Sequence, residues 1–327
     1  MPNNYLLTGA AGFIAFRVAE LLINAGHHVY GVDNLNDAYD IRLKKYRLDR
    51  LEKLPNFHFL KTDISERTAI EVLDSWLPGV VSGVINLAAR AGVRTSLTDP
   101  WVYVDTNMTG TLNLLEVCRR RSIEKFVLAS TSSLYAEEST PPFKETDDTD
   151  HPLQPYAASK KGAEAMAFAY HHLYGIDVTV LRYFTVYGPA GRPDMVMFRF
   201  CQWIAEGKPV VVNGDGEQSR GFTYLDDIAR GTIQALQPLG YEVINLGGHE
   251  VITIHQLIHM LEERIGKRAQ VTYEAFHPAD VHTNQADVTR AKQLLGWEPQ
   301  VDLDEGVSHL VNWYMEERAW ASQVETP

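Results

Sequence analysis

The first half of the chain alternates short, continuous apolar runs with amphipathic stretches, and that rhythm leaves very few folds open. The runs lie at residues 5–8, 28–32, 57–60, 84–87, 126–129 and 178–181, and helical periodicity appears at 14–25, 41–51, 69–77, 100–121 and 156–174. Strands without a polar face belong to a sheet covered by helices on both sides. Repeated strand–helix units wind right-handed into a doubly wound parallel sheet, so the expected class is Rossmann-type α/β. After Tyr187-Gly188-Pro189 the pattern changes to shorter helices at 195–205, 226–237, 254–265, 287–295 and 303–315, with small strands between them. The expected organisation is a dinucleotide-binding domain over 1–182, with a returning strand near 243–245. A smaller, partly discontinuous α/β substrate-binding domain takes up 183–327.

At 327 residues the chain exceeds the usual size of a single core, which agrees with one large or two fused domains. A formal charge of −12 argues against a nucleic-acid or anionic-membrane partner. Cys118 and Cys201, far apart in sequence, read as free thiols of a reducing compartment. No apolar run is long enough to span a membrane, and the first residues lead into a strand without a signal-peptide pattern. A cytoplasmic location is expected. His255 and His259 have the spacing of a zinc helix, but Gln256 replaces the glutamate and no third ligand is evident, so no metal is expected.

Thr8-Gly9-Ala10-Ala11-Gly12-Phe13-Ile14-Ala15 follows the first strand and opens a helix. Gly9 permits a tight turn, Gly12 lets the backbone approach a pyrophosphate, and the helix start with Phe13 and Ile14 offers oriented N–H groups. Asp33, ending the second strand, is suited to the two hydroxyls of an adenosine ribose and would repel a 2′-phosphate, so NAD is expected over NADP. Asn34 follows it. Asp63-Ile64 after the third strand would meet adenine, and Leu87-Ala88-Ala89 after the fourth are small enough to let the cofactor pass. Asn107 is either a buried hydrogen-bonding residue or a support of the cofactor site.

The chemistry is carried by Tyr156-Ala157-Ala158-Ser159-Lys160 together with Ser130-Thr131-Ser132-Ser133 at the end of an apolar run. A tyrosine phenol ordinarily titrates at about pH 10 and is a poor base near neutrality. Lys160, one helical turn on, shares the face of Tyr156 and would place its ammonium beside the phenolate. A shift of about 3 units would require roughly 4 kcal/mol of preferential phenolate stabilisation. Thr131 would bond the same substrate oxygen. Such a group takes a proton from an alcohol while a dinucleotide accepts the hydride.

These motifs, with Asp33-Asn34-Leu35-Asn36-Asp37, Ala91-Gly92-Val93-Arg94, Arg182-Tyr183-Phe184-Thr185-Val186-Tyr187-Gly188-Pro189 and Gly191-Arg192-Pro193-Asp194-Met195, resemble the extended short-chain dehydrogenases/reductases. The resemblance covers nearly the whole chain and is strongest toward the nucleotide-sugar epimerases, the UDP-glucuronate 4-epimerases in particular. It implies Thr131, Tyr156 and Lys160 as catalytic residues, and Ser130 and Phe184 among those that hold NAD. It also implies Arg220 at the substrate diphosphate and Asp280 at the nucleotide ribose, although Gly221 and Ala279 depart from the residues common beside them. Arg94 is either a substrate-side or a structural residue. It further implies that helices 100–121 and 156–174 pair into a homodimer interface, although their apolar positions could equally be only internal core.

The family's members share oxidation at sugar C4 and diverge afterwards. Dehydratases carry Asp-Glu after the threonine, and decarboxylases carry a glutamate two residues before the tyrosine corresponding to Tyr135. Here Ser132 and Ser133 stand in those positions, and neither is a strong acid or base at neutral pH. Elimination is disfavoured, and return of the hydride to the opposite face remains. Ser132, Ser133, Thr185 and the fork of Arg192 would restrain a sugar carboxylate and suppress loss of CO₂; for Arg192 a phosphate or interface role stays open. The expected reaction is 4-epimerisation of a UDP-sugar, UDP-glucuronate to UDP-galacturonate. UDP-glucose or UDP-N-acetylglucosamine epimerisation, UDP-glucuronate decarboxylation and a non-catalytic NAD(H) sensor are the alternatives.

Overall fold

A computed structural model describes residues 2–135, 140–248, 250–276 and 283–327. Six strands of the first half come in chain order: β1 (Asn4–Thr8), β2 (His28–Asp33), β3 (Phe57–Lys61), β4 (Gly83–Asn86), β5 (Lys125–Thr131) and β6 (Asp177–Tyr183). The second half adds β7 (Thr185–Tyr187), β8 (Pro209–Asn213), β9 (Ser219–Tyr224), β10 (Tyr241–Leu246), β11 (Val251–Thr253), β12 (Gln270–Glu274) and β13 (Thr283–Asn284). The main sheet has seven strands in the order β10-β6-β5-β4-β1-β2-β3, and every pairing in it is parallel. Its order reverses at β1, where two crossovers diverge and leave a crevice at the carboxyl ends of the strands.

Neighbouring strand residues bury opposite faces, as continuous apolar runs require. Leu7, Val29, Ile85, Val127, Leu181 and Ile244 pack on one side with the Phe13–Asn24 helix, while Leu6, Val84, Phe126, Leu128 and Val180 pack on the other. Leu6 and Leu7 are both fully buried, each worth about 1.5–3 kcal/mol relative to exposure. The strand expected near 243–245 is β10, which closes the edge beside β6.

The remaining strands build a four-stranded sheet around β9 and a parallel β8–β12 pair. They share a separate core with helices Val196–Glu206, Ile254–Ile265 and Leu303–Glu316. In the residues 318–327, Gln202 Nε2 donates to the carbonyls of Ala321 and Val324, and the Glu325 N–H donates to Asp40. The tail thereby reaches the wall of the crevice.

One helix departs from its sequence pattern. Residues 101–121 are not a single α-helix: a turn at Trp101–Tyr103 passes into a π-helical segment, Val104–Thr109, before α-helix resumes at Gly110–Arg121. Val104, Asp105, Thr106, Asn107 and Thr109 are all weak helix formers, and Asn107 is drawn inward by side-chain bonds to neighbouring elements.

Candidate active site

A cleft of about 1100 Å³ opens at the carboxyl ends of β1, β2, β4 and β5. At its floor Gly9 has φ +68°, and an added Cβ would lie 2.9 Å from the Cα and N of Ala88. A Cβ on Gly12 would lie 2.7 Å from the Gly9 carbonyl oxygen. The helix Phe13–Asn24 begins immediately afterwards, with its free N–H groups toward the cleft. Ala15 is 1% exposed, so the third position of the motif is a packing position.

Asp33 accepts from the Ala11 N–H (3.2 Å) and the Leu35 N–H (2.8 Å), with Lys44 Nζ 3.8 Å away. Asp63 accepts from Asn34 Nδ2 (2.7 Å) and from Ser65 N and Oγ. Burial opposes its charge, but those bonds hold the carboxyl below its ordinary range. A glycine cradle at a helix start, with an acceptor carboxylate at the next strand end, fits a dinucleotide with a free ribose diol.

Thr131 closes β5, and its Oγ1 accepts from the Ser133 N–H at 3.1 Å. The same hydroxyl favours the ionised form of the Tyr156 phenol. Tyr156 sits in the first turn of the helix Pro155–Tyr174, where Pro155 is pre-set for a helix start. Burial raises the phenol pKa, while the Thr131 hydroxyl and the positive charge of Arg192 pull it down. Tyr103 stands edge-on to it, with ring centroids 6.0 Å apart.

Lys160 is 3% exposed, and its Nζ donates to the Ala129 carbonyl at 2.9 Å. Burial lowers its pKa to about 8, against the attraction of Glu164. The ammonium is fixed on a strand carbonyl, and the charge of Arg192 acts on Tyr156. A buried ammonium needs a strong acceptor, and a carbonyl oxygen is one. Arg192 grips Asp194 with Nε (3.0 Å) and Nη2 (2.5 Å), and Nη2 also donates to the Ala91 carbonyl. Its Nη1 is the donor group outside these three bonds.

The cleft lining gathers Gly9, Gly12, Phe13, Ile14, Asp33, Asn34, Asp63, Ile64, Leu87, Ala88, Ala89, Ser130, Thr131, Ser132, Ser133, Tyr156, Lys160, Phe184, Thr185 and Arg192. Arg94, Asn107 and Arg220 lie outside that lining, and Asp280 lies outside the described residues. Asn107 is 1% exposed; its Oδ1 accepts from the Arg90 N–H, and its Nδ2 donates to the Arg90 carbonyl and Ser159 Oγ. Ser159 Oγ in turn donates to the Tyr156 carbonyl at 2.7 Å. On the other side, Thr111 donates to the Asn107 carbonyl, Asn86 donates to Thr111 and Thr8 donates to Asn86. A single chain of bonds therefore links the glycine turn to the helix of Tyr156.

The sequence reading missed Tyr103, Asn284 and Glu164. Asn284, on β13, donates to Ser132 Oγ at 3.2 Å and lines the cleft. Only folding brings it there, and nothing in its local pattern signals it. Glu164 did have a signal, since Tyr156, Lys160 and Glu164 recur at four-residue intervals on one helix face.

The sheet, its glycine turn and the Tyr156–Lys160 helix in one cleft define an extended short-chain dehydrogenase/reductase. Residues 6–310 match the GDP-mannose 4,6 dehydratase family, and the chain belongs to it. A UDP-glucuronate 4-epimerase of Thermodesulfobacterium geofontis is 57% identical over 313 residues, covering 95% of this chain and 96% of the relative. The crystal structure of a UDP-glucuronic acid 4-epimerase from Bacillus cereus, in complex with UDP-glucuronic acid and NAD, superposes with TM-score 0.89 at 37% identity, covering 96% of this chain and 99% of that one. A UDP-glucose 4-epimerase from Thermotoga maritima, solved with UDP-glucose, has TM-score 0.89 at 34% identity, covering 96% and 99%.

Proposed function

We propose that the protein is an NAD-dependent 4-epimerase that interconverts UDP-glucuronate and UDP-galacturonate through a 4-keto sugar. The observation that carries this reading is the Tyr156 phenol, its charged form favoured by Thr131 and Arg192, in a cleft with a dinucleotide cradle. Gly9, Gly12 and the helix start would hold the pyrophosphate, and Asp33 the ribose diol. When bound, NAD supplies the acceptor and donor of the hydride at C4.

Tyr156 takes the proton of the C4 hydroxyl and gives it back after the sugar has turned. Thr131 orients that hydroxyl, and the charge of Arg192 lowers the cost of the phenolate. Lys160 holds its own charge one turn away, on the strand that carries Thr131. Around the sugar stand Ser132, Ser133 and Thr185, with no carboxylate among them to drive loss of water. Arg192 Nη1 is the donor free to meet a sugar carboxylate and keep it near the ketone plane, where decarboxylation is slow.

The division of labour follows the fold. Residues 1–182, with β10, hold NAD, and residues 183–327 hold the nucleotide-sugar, with Arg220 and Asp280 at its diphosphate and ribose. Two copies pair through 101–121 and the helix Pro155–Tyr174, which present an exposed Trp101, Val104 and Phe168 to solvent. Two buried cysteine thiols suit a cytoplasmic enzyme.

The test is product analysis by NMR after incubation of the purified enzyme with UDP-glucuronate. UDP-galacturonate is expected, with no added NAD needed once the site is loaded. Conversion of UDP-glucose in its place would make this a neutral-sugar epimerase, and release of CO₂ would make it a decarboxylase.

A further inference from the structure

Glu164 is a buried carboxylate, 4% exposed, on the helix of Tyr156 and Lys160, and the mechanism above gives it no task. Its Oε1 accepts from Ser130 Oγ (2.6 Å) and Arg182 Nε (3.0 Å), and its Oε2 accepts from Arg182 Nη2 (2.9 Å). Ser130 precedes Thr131 on β5, and Arg182 lies on β6. One carboxylate thus joins the catalytic helix to both strands behind the site. It is also the group whose charge attracts the Lys160 ammonium.

We propose that Glu164 is a positioning residue of the reaction: bonded to Arg182 and Ser130 and one helical turn from Lys160 on the same buried face, its carboxylate keeps the Lys160 ammonium charged behind the catalytic tyrosine. The inference rests on the epimerase reading only for its activity readout.

Among the described residues, Glu164 is the charge that favours the Lys160 ammonium. From β5 the ammonium meets only the neutral Ala129 carbonyl, with the Ser130 hydroxyl beside it. From β6 come Arg182, a cation already gripped by Glu164, and Tyr183, whose phenol burial pushes up and keeps neutral. On its own helix Tyr156 is neutral at rest, with Arg192 and Tyr103 acting on that phenol. Tyr135 and Glu145 approach Arg182, where Tyr135 accepts from Nη1 and the Glu145 backbone carbonyl lies within reach. Burial without Glu164 would therefore discharge the lysine at a lower pH.

Lys160 loses its charge as pH rises through about 8, so turnover should fall on the alkaline side of that value. In Glu164→Gln the alkaline limb should move to lower pH by roughly 1 unit, the size of one nearby charge. Glu164→Asp, which keeps the charge, should restore most of it. Because Glu164→Gln strands Arg182, the pair variant Glu164→Gln/Arg182→Met is measured beside it, and its limb should move in the same direction. A purely structural role would lower thermal stability and leave the limb in place; that result, in either folded variant, overturns the proposal. Titration of the Lys160 side chain by NMR in lysine-labelled protein reads the same shift without turnover. It distinguishes failure of this inference from failure of the substrate assignment.

Discussion

Arg192 and Tyr156 line the same cleft, and the arginine's charge opposes the burial that pushes the phenol's pKa up. One lies on a loop after β7 and the other on the Pro155–Tyr174 helix. Removing the arginine should affect both the base and the substrate. In Arg192→Ala the phenol loses a lowering influence, so the limb of the rate profile that reports the phenolate should move to higher pH. For UDP-glucuronate, kcat/KM should also fall by roughly 30-fold or more, about 2 kcal/mol. UDP-glucose turnover would feel only the first effect, and steady-state kinetics on the two sugars separates them.

Tyr156→Phe removes the group proposed to take the C4 proton. A loss of about 10²–10⁴-fold in kcat is expected, the usual worth of a positioned acid–base group. NAD content, measured after denaturation of the purified variant, should stay near that of the parent.

Gly9→Ala tests the cradle. The new Cβ would crowd the Ala88 backbone at 2.9 Å, in a left-handed conformation that alanine adopts at a cost. About 1–3 kcal/mol of strain is expected, seen as a lower urea midpoint together with loss of bound NAD. Ala15→Gly, further along the same motif and away from that contact, should retain the cofactor.

Asp40 gives a pH-dependent stability with a definite sign. Burial raises its pKa, but bonds from Arg42 and from the Glu325 N–H outweigh that and bring the carboxyl down to about 2. Its contribution is therefore present above the unfolded value of about 3.9 and is lost as pH falls toward 2. Asp40→Asn keeps an acceptor for the helix Ile41–Leu51 and should flatten this acid dependence. Asp40→Ala also removes the cap, at about 1 kcal/mol, and chemical denaturation at about pH 7 and pH 3 tells the two apart.

Asn107→Ala breaks the chain of bonds between the glycine turn and the catalytic helix. It leaves the Arg90 backbone groups and Ser159 short of a buried partner, so a stability loss of about 1–3 kcal/mol is expected. Hydrogen exchange at residues 156–160 should rise with it.

The main sheet was legible because its strands are apolar on both faces and its helices amphipathic, two periods that sequence displays directly. The glycine turn and Asp33 follow from that frame, since strand ends point into the crevice. The second half was less legible: β13 has two residues and β12 is mostly exposed, so neither has a hydrophobic signature. The π segment around Asn107 leaves the apolar pattern of 101–121 nearly intact while turning one side chain inward. The acceptor chosen by Lys160 was also hidden. Helical spacing sets Lys160 near Tyr156, but only the packed strand supplies the Ala129 carbonyl that captures its ammonium.

The returning strand β10 has a consequence for synthesis. It pairs with β6 over its whole length, from Tyr241 opposite Val178 to Leu246 opposite Tyr183. A nascent chain that has emerged only as far as β6 carries every other strand of the sheet but an open, hydrogen-bond-hungry margin. That margin stays available to foreign chains until the ribosome has delivered residue 246, so the vulnerable period in the life of this protein is set by translation speed.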